Sequence, residues 1–365
     1  MGRFEIFEAT GEGCNQWFDV LKGWPALEVF AHPAYLELYS DKESRPICLF
    51  YSGQEGQAVY PLLLRDLRAE SFWGPAKPSC YDVISPPYGY GGPFIVHNTG
   101  DEDKLIRCFF DAYREWAPTQ GIVAEYMTFS PKNPREWFYP GDVSIRAPTV
   151  LCDLGVNPDE LWKNYRKTLR WEIRKAQRDG IFVQEDSKGE HAEEFLSIYN
   201  STMDRRHASD AYLMDMAFLS RIHDTLSGNY CYFHAYYNGQ IVSSELVLIS
   251  GDSTFFFRGG TYAEDLKTYS NKLLKHEIIQ WSKENGKRYY LLGGGNDSED
   301  PLFQYKRGFA PNGVRWLQVG KWVVDEGRYN ELVEARRVFE SDRGCAWIPR
   351  SDYFPKYRAP AVVST

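Results

Sequence analysis

CYFHAYYNGQIVSSELVLISGDSTFFFRGG, residues 231–260, reads as three consecutive strands. Its first part, 231–237, is rich in aromatics that favour a pleated surface. Asn238-Gly239 is a strong two-residue hairpin signal. IVSSELVLIS (241–250) pairs back, and STFFFRGG (253–260) extends the sheet. Downstream, Leu274, Ile278 and Trp281 recur on one helical face, with Ser270 placed to cap the start and Gly286 to end it. RYYLLGGG (288–295) supplies the last strand. The unit is hairpin, strand, helix, strand.

The same order occurs earlier in the chain. PICLFY (46–51), the turn SGQEGQ (52–57) and AVYPLLLR (58–65) form a hairpin. Leu105, Ile106, Phe109, Phe110, Tyr113 and Trp116 mark a helix that Pro118 and Gly121 stop, and IVAEYMTF (122–129) follows as a strand. Two tandem α/β (α+β) units are expected, each a mixed sheet flanked by helices. The expected boundaries are 1–150 for the first and 151–321 for the second. A C-terminal helix and tail (322–365) would return to the first. Further helices are expected over 158–178, near 190–206 and near 329–339.

The 365 residues suit two domains of ordinary size. A formal net charge of −8 argues against bulk attraction to polyanions and leaves room for a local basic surface. Seven scattered cysteines form no C-x-x-C pair, which fits reduced thiols rather than a disulfide frame or a zinc site. No stretch approaches the roughly 20 apolar residues of a membrane helix, so a cytoplasmic protein without integral membrane contact, peripheral at most, is expected. No metal site and no DNA partner are indicated.

The local basic surface is LWKNYRKTLRWEIRKAQRDG (161–180), with seven Lys/Arg against two acids. Read as one continuous helix, it places Lys163, Lys167, Arg170, Arg174 and Arg178 in one stripe, and Leu169, Ile173 and Ala176 opposite. The stripe is either a solvated face or a cradle for a phosphorylated ligand or RNA backbone, in which Arg170 and Arg174 would contact substrate. Two glycine-rich stretches could approach a ligand closely: YGYGG (88–92), with Tyr88 and Gly91, and Gly293–Gly295 at a strand end, with Gly294 central. The acids Asp297, Glu299 and Asp300 read as a solvated loop. In FQYKRGF (303–309), Phe303, Tyr305 and Phe309 can anchor the segment and fix Lys306, where a cation would stabilise developing negative charge.

Glu245 stands in an otherwise apolar strand and is the candidate base, since burial makes a carboxylate hold a proton more tightly. The alternative is a partly wet face on which it pairs with a cation. His234 and His276 are further base candidates. Arg206, in Arg205-Arg206-His207, and Arg258, before Gly259-Gly260, could bind a carboxylate or phosphate. Trp73 could stack on a sugar or base.

Taken in order, SPPYGYGGPF, the basic helix, the 239–260 hairpin, LLGGG and FQYKRGFAP resemble the FemABX group of FemAB-like N-acyltransferases, which carry two GNAT-like domains in tandem. The resemblance implies transfer of an acyl or aminoacyl group to an amine of a cell-envelope glycan, a peptidoglycan precursor or a related amino-sugar metabolite. Lys306 matches the lysine of the family's aromatic–Lys–x–x–Phe segment, with Tyr305 where Phe is common. No cofactor is expected to be tightly bound. The donor is acyl-CoA or aminoacyl-tRNA, and the expected partners are a phosphorylated or nucleotide-linked glycan and, as donor, tRNA. The chain departs from the family's relatives in three places. It lacks the inserted coiled-coil arm, it has no Q/R-x-x-G-x-G/A pyrophosphate loop, and Ser130 precedes Pro131 where some relatives have an acid. Alternatives are an acetyl-CoA-dependent small-metabolite N-acetyltransferase and a non-catalytic GNAT-like binding protein.

Overall fold

The computed structural model describes residues 2–132, 138–209 and 212–361. The chain forms two compact units. Unit 1 comprises Met1–Trp24, Phe30–Arg146 and Leu317–Thr365, and unit 2 comprises Pro25–Val29 and Ala147–Trp316. The first elements in chain order are β1 (Arg3–Glu8), α1 (Gly11–Lys22), α2 (Pro33–Glu37), β2 (Ser44–Gly53), β3 (Gly56–Asp66), β4 (Tyr81–Ser85), β5 (Phe94–Asn98), α3 (Glu102–Thr119) and β6 (Ile122–Thr128). Next come β7 (Asp142–Asp153), α4 (Pro158–Asn164), α5 (Lys167–Arg178), β8 (Phe182–Asp186), α6 (Ala192–Arg205), α7 (Met216–Thr225), β9 (Tyr230–Tyr237), β10 (Gln240–Ile249) and β11 (Ser253–Thr261). The chain closes with α8 (Ser270–Glu284), β12 (Tyr289–Gly294), α9 (Pro301–Arg307), β13 (Val314–Val323) and α10 (Glu326–Asp342). Among the described residues no helix is long and apolar enough to cross a membrane.

In unit 1 the strand order is β1-β2-β3-β4-β6-β13, with β5 on β3. In unit 2 it is β8-β9-β10-β11-β12-β7. The two orders share one pairing scheme. Three antiparallel steps lead to a parallel step, β4 to β6 or β11 to β12, with α3 or α8 as the crossover. The duplication expected from the sequence is therefore present at the level of topology. In each unit the parallel pair is followed by an antiparallel strand, β13 against β6 and β7 against β12. The strand completing each unit thus follows the other unit's parallel pair in sequence.

Local chemistry explains the elements. Asn238 and Gly239 both have positive φ, 50° and 79°, as a type I′ hairpin requires. Asp101 caps α3 by accepting from the Lys104 amide at 3.0 Å. Leu105, Ile106, Phe109, Phe110 and Tyr113 are all buried on the inner face of α3. Unit 2 packs Leu169, Ile173 and Ala176 of α5 and Leu274 and Ile278 of α8 into one core with Phe233 and Tyr290.

Three local expectations need correction. The basic segment is two helices rather than one, because the backbone turns extended at Tyr165 and Arg166. That break buries Tyr165 against Phe309 and lets the Arg166 amide donate to Gly308 O at 3.0 Å. Lys163 therefore leaves the stripe. Ser270 does not cap α8; it is the first helical residue, preceded by Tyr269 with φ of 61°. Pro118 sits inside the last turn of α3 and does not end it.

The C-terminal tail is tied into unit 1 through Asp82. Its buried carboxylate accepts from Arg65 Nε at 2.8 Å, Arg358 Nε at 2.5 Å and Tyr357 OH at 3.2 Å. The Pro25–Val29 piece joins unit 2 through the Val29 amide, which donates to Ser250 Oγ at 2.9 Å.

Candidate active site

The parallel pair differs between the units. In unit 1, β4 and β6 stay paired from Tyr81–Ile122 to Ser85–Met127, and a further bridge joins Gly91 to Phe129. In unit 2 the β11–β12 ladder has three pairs and ends at Phe255–Leu291. Beyond it, β11 follows β10 as far as Thr261 and β12 follows β7 as far as Gly294. The two strands part, and ligands of open α/β sheets bind where neighbouring strands diverge.

Lys306 belongs to this opening. Asp300 caps α9, accepting from the Leu302 and Asn296 amides at 2.8 Å each. Buried Phe303 and Phe309 anchor the segment, and Tyr305 OH donates to Asn271 O at 2.9 Å. The Lys306 side chain is 5% exposed, and Nζ donates to Gly294 O at 3.1 Å. Nζ also lies 4.8 Å from the Phe256 ring centre. The glycines make this possible. Gly293 adopts φ of 75°, and a Cβ at Gly294 would come within 2.1 Å of Pro148 O.

Beside Lys306 lies a buried charged cluster. Lys275 Nζ of α8 donates to Glu245 Oε1 of β10 at 2.6 Å and lies 3.2 Å from Tyr290 OH, while Tyr290 OH donates to the same Glu245 oxygen. Burial pushes the Lys306 ammonium down to about 7, and the Lys275 charge pushes the same way; Glu245 and Asp300 oppose. Burial also lowers Lys275, against the pull of Glu245. Burial alone would raise Asp300, but the backbone amides of Asn296, Leu302 and Phe303 and the charge of Arg206 hold it low. Arg206, exposed at the C-terminal end of α6, acts electrostatically on both Asp300 and Lys306.

Lys306, Glu245, Gly294, Tyr305 and Arg206 thus all bear on one region of unit 2. The remaining candidates make none of these contacts. Arg258 is on β11, its guanidinium over Phe257 and donating to the Phe257 carbonyl at 2.9 Å. Arg170 and Arg174 are on α5, with Arg174 over Trp162. Tyr88 and Gly91 are in unit 1. The Tyr88 carbonyl accepts from Tyr35 OH at 2.7 Å, and Gly91 allows a close approach to the Ser85 carbonyl. Trp73, also in unit 1, is buried beneath Lys77 and Arg328.

His234 is sealed between Ser244 Oγ at 2.8 Å and Asp186 Oδ2 at 3.4 Å. Burial brings His276 down to about 4. Asp297 accepts from the Glu299 and Asp300 amides, so the acidic loop has a turn-building role. A surface depression of about 460 Å³ in unit 1, lined by Asp19, Gln57 and His97 among others, is unconnected with this chemistry.

The sequence reading missed Lys275 and Tyr290. Lys275 carried a signal, as it interrupts the apolar run Leu273, Leu274, Ile278, Ile279 that α8 buries. Tyr290 carried none within YYLL.

Residues 163–307 match the acetyltransferase (GNAT) domain family. No curated protein sequence matches the chain. Among solved structures it is similar to FemX, at 12% identity and a TM-score of 0.66, covering 89% of this chain and 99% of that one. The C-terminal domain of a putative lysylphosphatidylglycerol synthetase from Agrobacterium fabrum is similar at 12% identity and TM-score 0.51, covering 90% and 96%. L-PGS from Bacillus licheniformis is similar at 12% identity and TM-score 0.52, covering 86% and 92%. Residues 163–307, which include Lys306, thus match the GNAT domain family, and the chain shares its fold with FemX.

Proposed function

We propose that this chain is an N-acyltransferase of the GNAT and Fem type that moves an aminoacyl group from an aminoacyl-tRNA ester onto an amine. The proposed acceptor is a phosphorylated or nucleotide-linked cell-envelope glycan precursor. The observation that carries the reading is the buried Lys306 amine, held over the glycine-lined end of β12 by its bond to Gly294 O and pushed by burial well below the ordinary lysine range.

The chemistry follows from that amine. The acceptor nitrogen attacks the ester carbonyl, forming the C–N bond as the carbonyl electrons move to oxygen. Neutral Lys306 takes the proton from the attacking nitrogen. The resulting ammonium then stabilises the adjacent oxyanion. As the C–O bond breaks, Lys306 returns the proton to the departing ribose oxygen. Glu245 is not free to act as the base in this scheme, because its Oε1 is engaged by Lys275 and Tyr290. Its role is to hold Lys275, whose charge keeps Lys306 low. In this scheme Arg206 would meet a phosphate or carboxylate of the acceptor.

The segment between β11 and α8 supports an ester donor over acyl-CoA. It is a short 3-10 turn, Ala263–Thr268, carrying Glu264 and Asp265. The Ser270 amide donates to Thr268 Oγ1, and those of Lys272 and Leu273 donate to Tyr269 O. Engaged amides and two acids make a poor cradle for a pyrophosphate.

The test is mass analysis of the purified chain with a panel of aminoacyl-tRNAs and acetyl-CoA against amino-bearing nucleotide-sugar acceptors. An amide product from an aminoacyl-tRNA, lost in a folded Lys306→Met variant, is expected. Product from acetyl-CoA alone overturns the donor assignment, and no product from any pair overturns the function.

A further inference from the structure

We propose that the exposed face of α5 is a docking surface for anionic lipid headgroups at a membrane surface. The argument begins with the helix itself. At 100° per residue, buried Leu169, Ile173 and Ala176 define its inner side. The opposite direction falls between Lys167, Trp171, Arg174, Lys175 and Arg178. Trp171 is therefore at the centre of the outward face, and it is 53% exposed. A single exposed ring is ordinary on a protein surface; what distinguishes this one is its place at the centre of a ring of cations.

Charge complementarity selects the partner. The protein as a whole carries −8, yet the acid on α5, Glu172, is neutralised by Lys272 at 2.6 Å. Asp179, just past the helix, answers Lys175 at 2.5 Å. Lys167, Arg174 and Arg178 are left as positive charge on the face, with half-buried Arg170 at its flank. Clustered cations bind an anionic lipid surface, and an amphipathic aromatic seats at headgroup level. A second exposed apolar side chain, Leu266, lies in the turn that leads to Tyr269, whose ring meets Trp171 at 6.0 Å.

RNA is the competing polyanion, and the rings argue against it. Stacking platforms need free aromatic faces. The Tyr269 ring carries Lys272 Nζ at 4.7 Å, and the Trp162 ring carries the Arg174 guanidinium at 5.3 Å. Trp171, edge-on to Tyr269, is the ring on α5 that is left more than half exposed, and one such ring suits seating at headgroup level better than stacking of successive bases.

The proposal concerns binding and does not depend on the transfer reaction. Its test is co-sedimentation of the full chain with phosphatidylcholine vesicles containing no or about a third phosphatidylglycerol, at low and raised salt, beside gel retardation with bulk tRNA. Binding only to the anionic vesicles, weakened by salt, is expected. Reversing Lys167, Arg170 and Arg174 to Glu together should reduce the vesicle-bound fraction at least tenfold. Trp171→Ala should reduce it severalfold, and Lys22→Glu in unit 1 should leave it unchanged. Each variant is checked for native circular dichroism. Absence of binding to anionic vesicles, binding unaffected by the α5 variants, or retardation of tRNA without vesicle binding overturns the proposal.

Discussion

Lys306→Met is expected to make the protein more stable while abolishing the chemistry, and the gain should depend on pH in a defined way. An ordinary lysine titrates near 10.5, whereas folded Lys306 titrates near 7. Between those values the unfolded chain binds a proton that the folded chain does not, so protonation favours unfolding. Folding stability therefore rises with pH through this window by about 1.4 kcal/mol per pH unit. The sign is that of a depressed lysine: the penalty is full below about 7 and vanishes above 10.5. Over the whole window it approaches roughly 5 kcal/mol, and near pH 7 roughly 4 kcal/mol remains. Methionine removes the penalty and fills similar space, at the loss of one hydrogen bond to Gly294 O worth about 1 kcal/mol. The variant should thus be a few kcal/mol more stable than the parent at pH 7.5. That difference should shrink by about 3 kcal/mol by pH 9.5. Urea unfolding of both proteins at pH 7.5, 8.5 and 9.5 measures it, and taking the difference cancels the titrating groups that do not interact with Lys306. A difference that stays flat with pH, or a variant less stable at pH 7.5, refutes the placement of this amine in a buried, cation-flanked site.

Three further outcomes follow. Lys275→Met removes a cation that presses Lys306 down, so the rising limb of the kcat/KM–pH profile should move above about 7; the Glu245→Gln/Lys275→Met double variant, which also removes the opposing pull of Glu245, should show a smaller upward shift without an unpaired buried charge, and an unmoved limb in folded Lys275→Met excludes Lys306 as the base. Glu125 in unit 1, buried among Tyr60, Tyr113 and Tyr139, is raised by burial to about 7. A raised carboxyl gives stability below 4.5 that is lost as pH rises to about 7, so Glu125→Gln should flatten the fall in thermal midpoint across that range. Arg358→Ala strips a partner from buried Asp82 and should destabilise unit 1 by about 3–5 kcal/mol by denaturant titration; a loss under about 1 kcal/mol would mean that the tail does not hold this carboxylate.

Much of this architecture could be read from the chain because its signals are local. Asn238-Gly239, the α3 face from Leu105 to Tyr113, and the repeated order of hairpin, strand, helix and strand all depend on neighbours in sequence. Lys306 could be found because the aromatics that fix it, Phe303 and Phe309, lie within three residues of it. What could not be read depends on distant chain. The break at Tyr165 arises from a hydrogen bond to Gly308 and a ring contact with Phe309. The neutralisation of Glu245 needs Lys275, 30 residues away, and Tyr290, 45 away. A strand pattern can show that Glu245 is buried or paired, but only the packed sheet shows that it is both.

The crossing of β7 and β13 has a consequence for biosynthesis. When a ribosome has made the first 146 residues, the outer edge of β6 has no neighbour, since the strand that covers it is encoded after residue 313. The amino-terminal half must wait, with an open edge, for nearly the whole polypeptide to emerge. Gene fragments cut at the apparent boundary between the repeats would inherit that exposed edge as an aggregation hazard. The repeated halves of this protein are thus bound to be inherited, expressed and engineered as one piece.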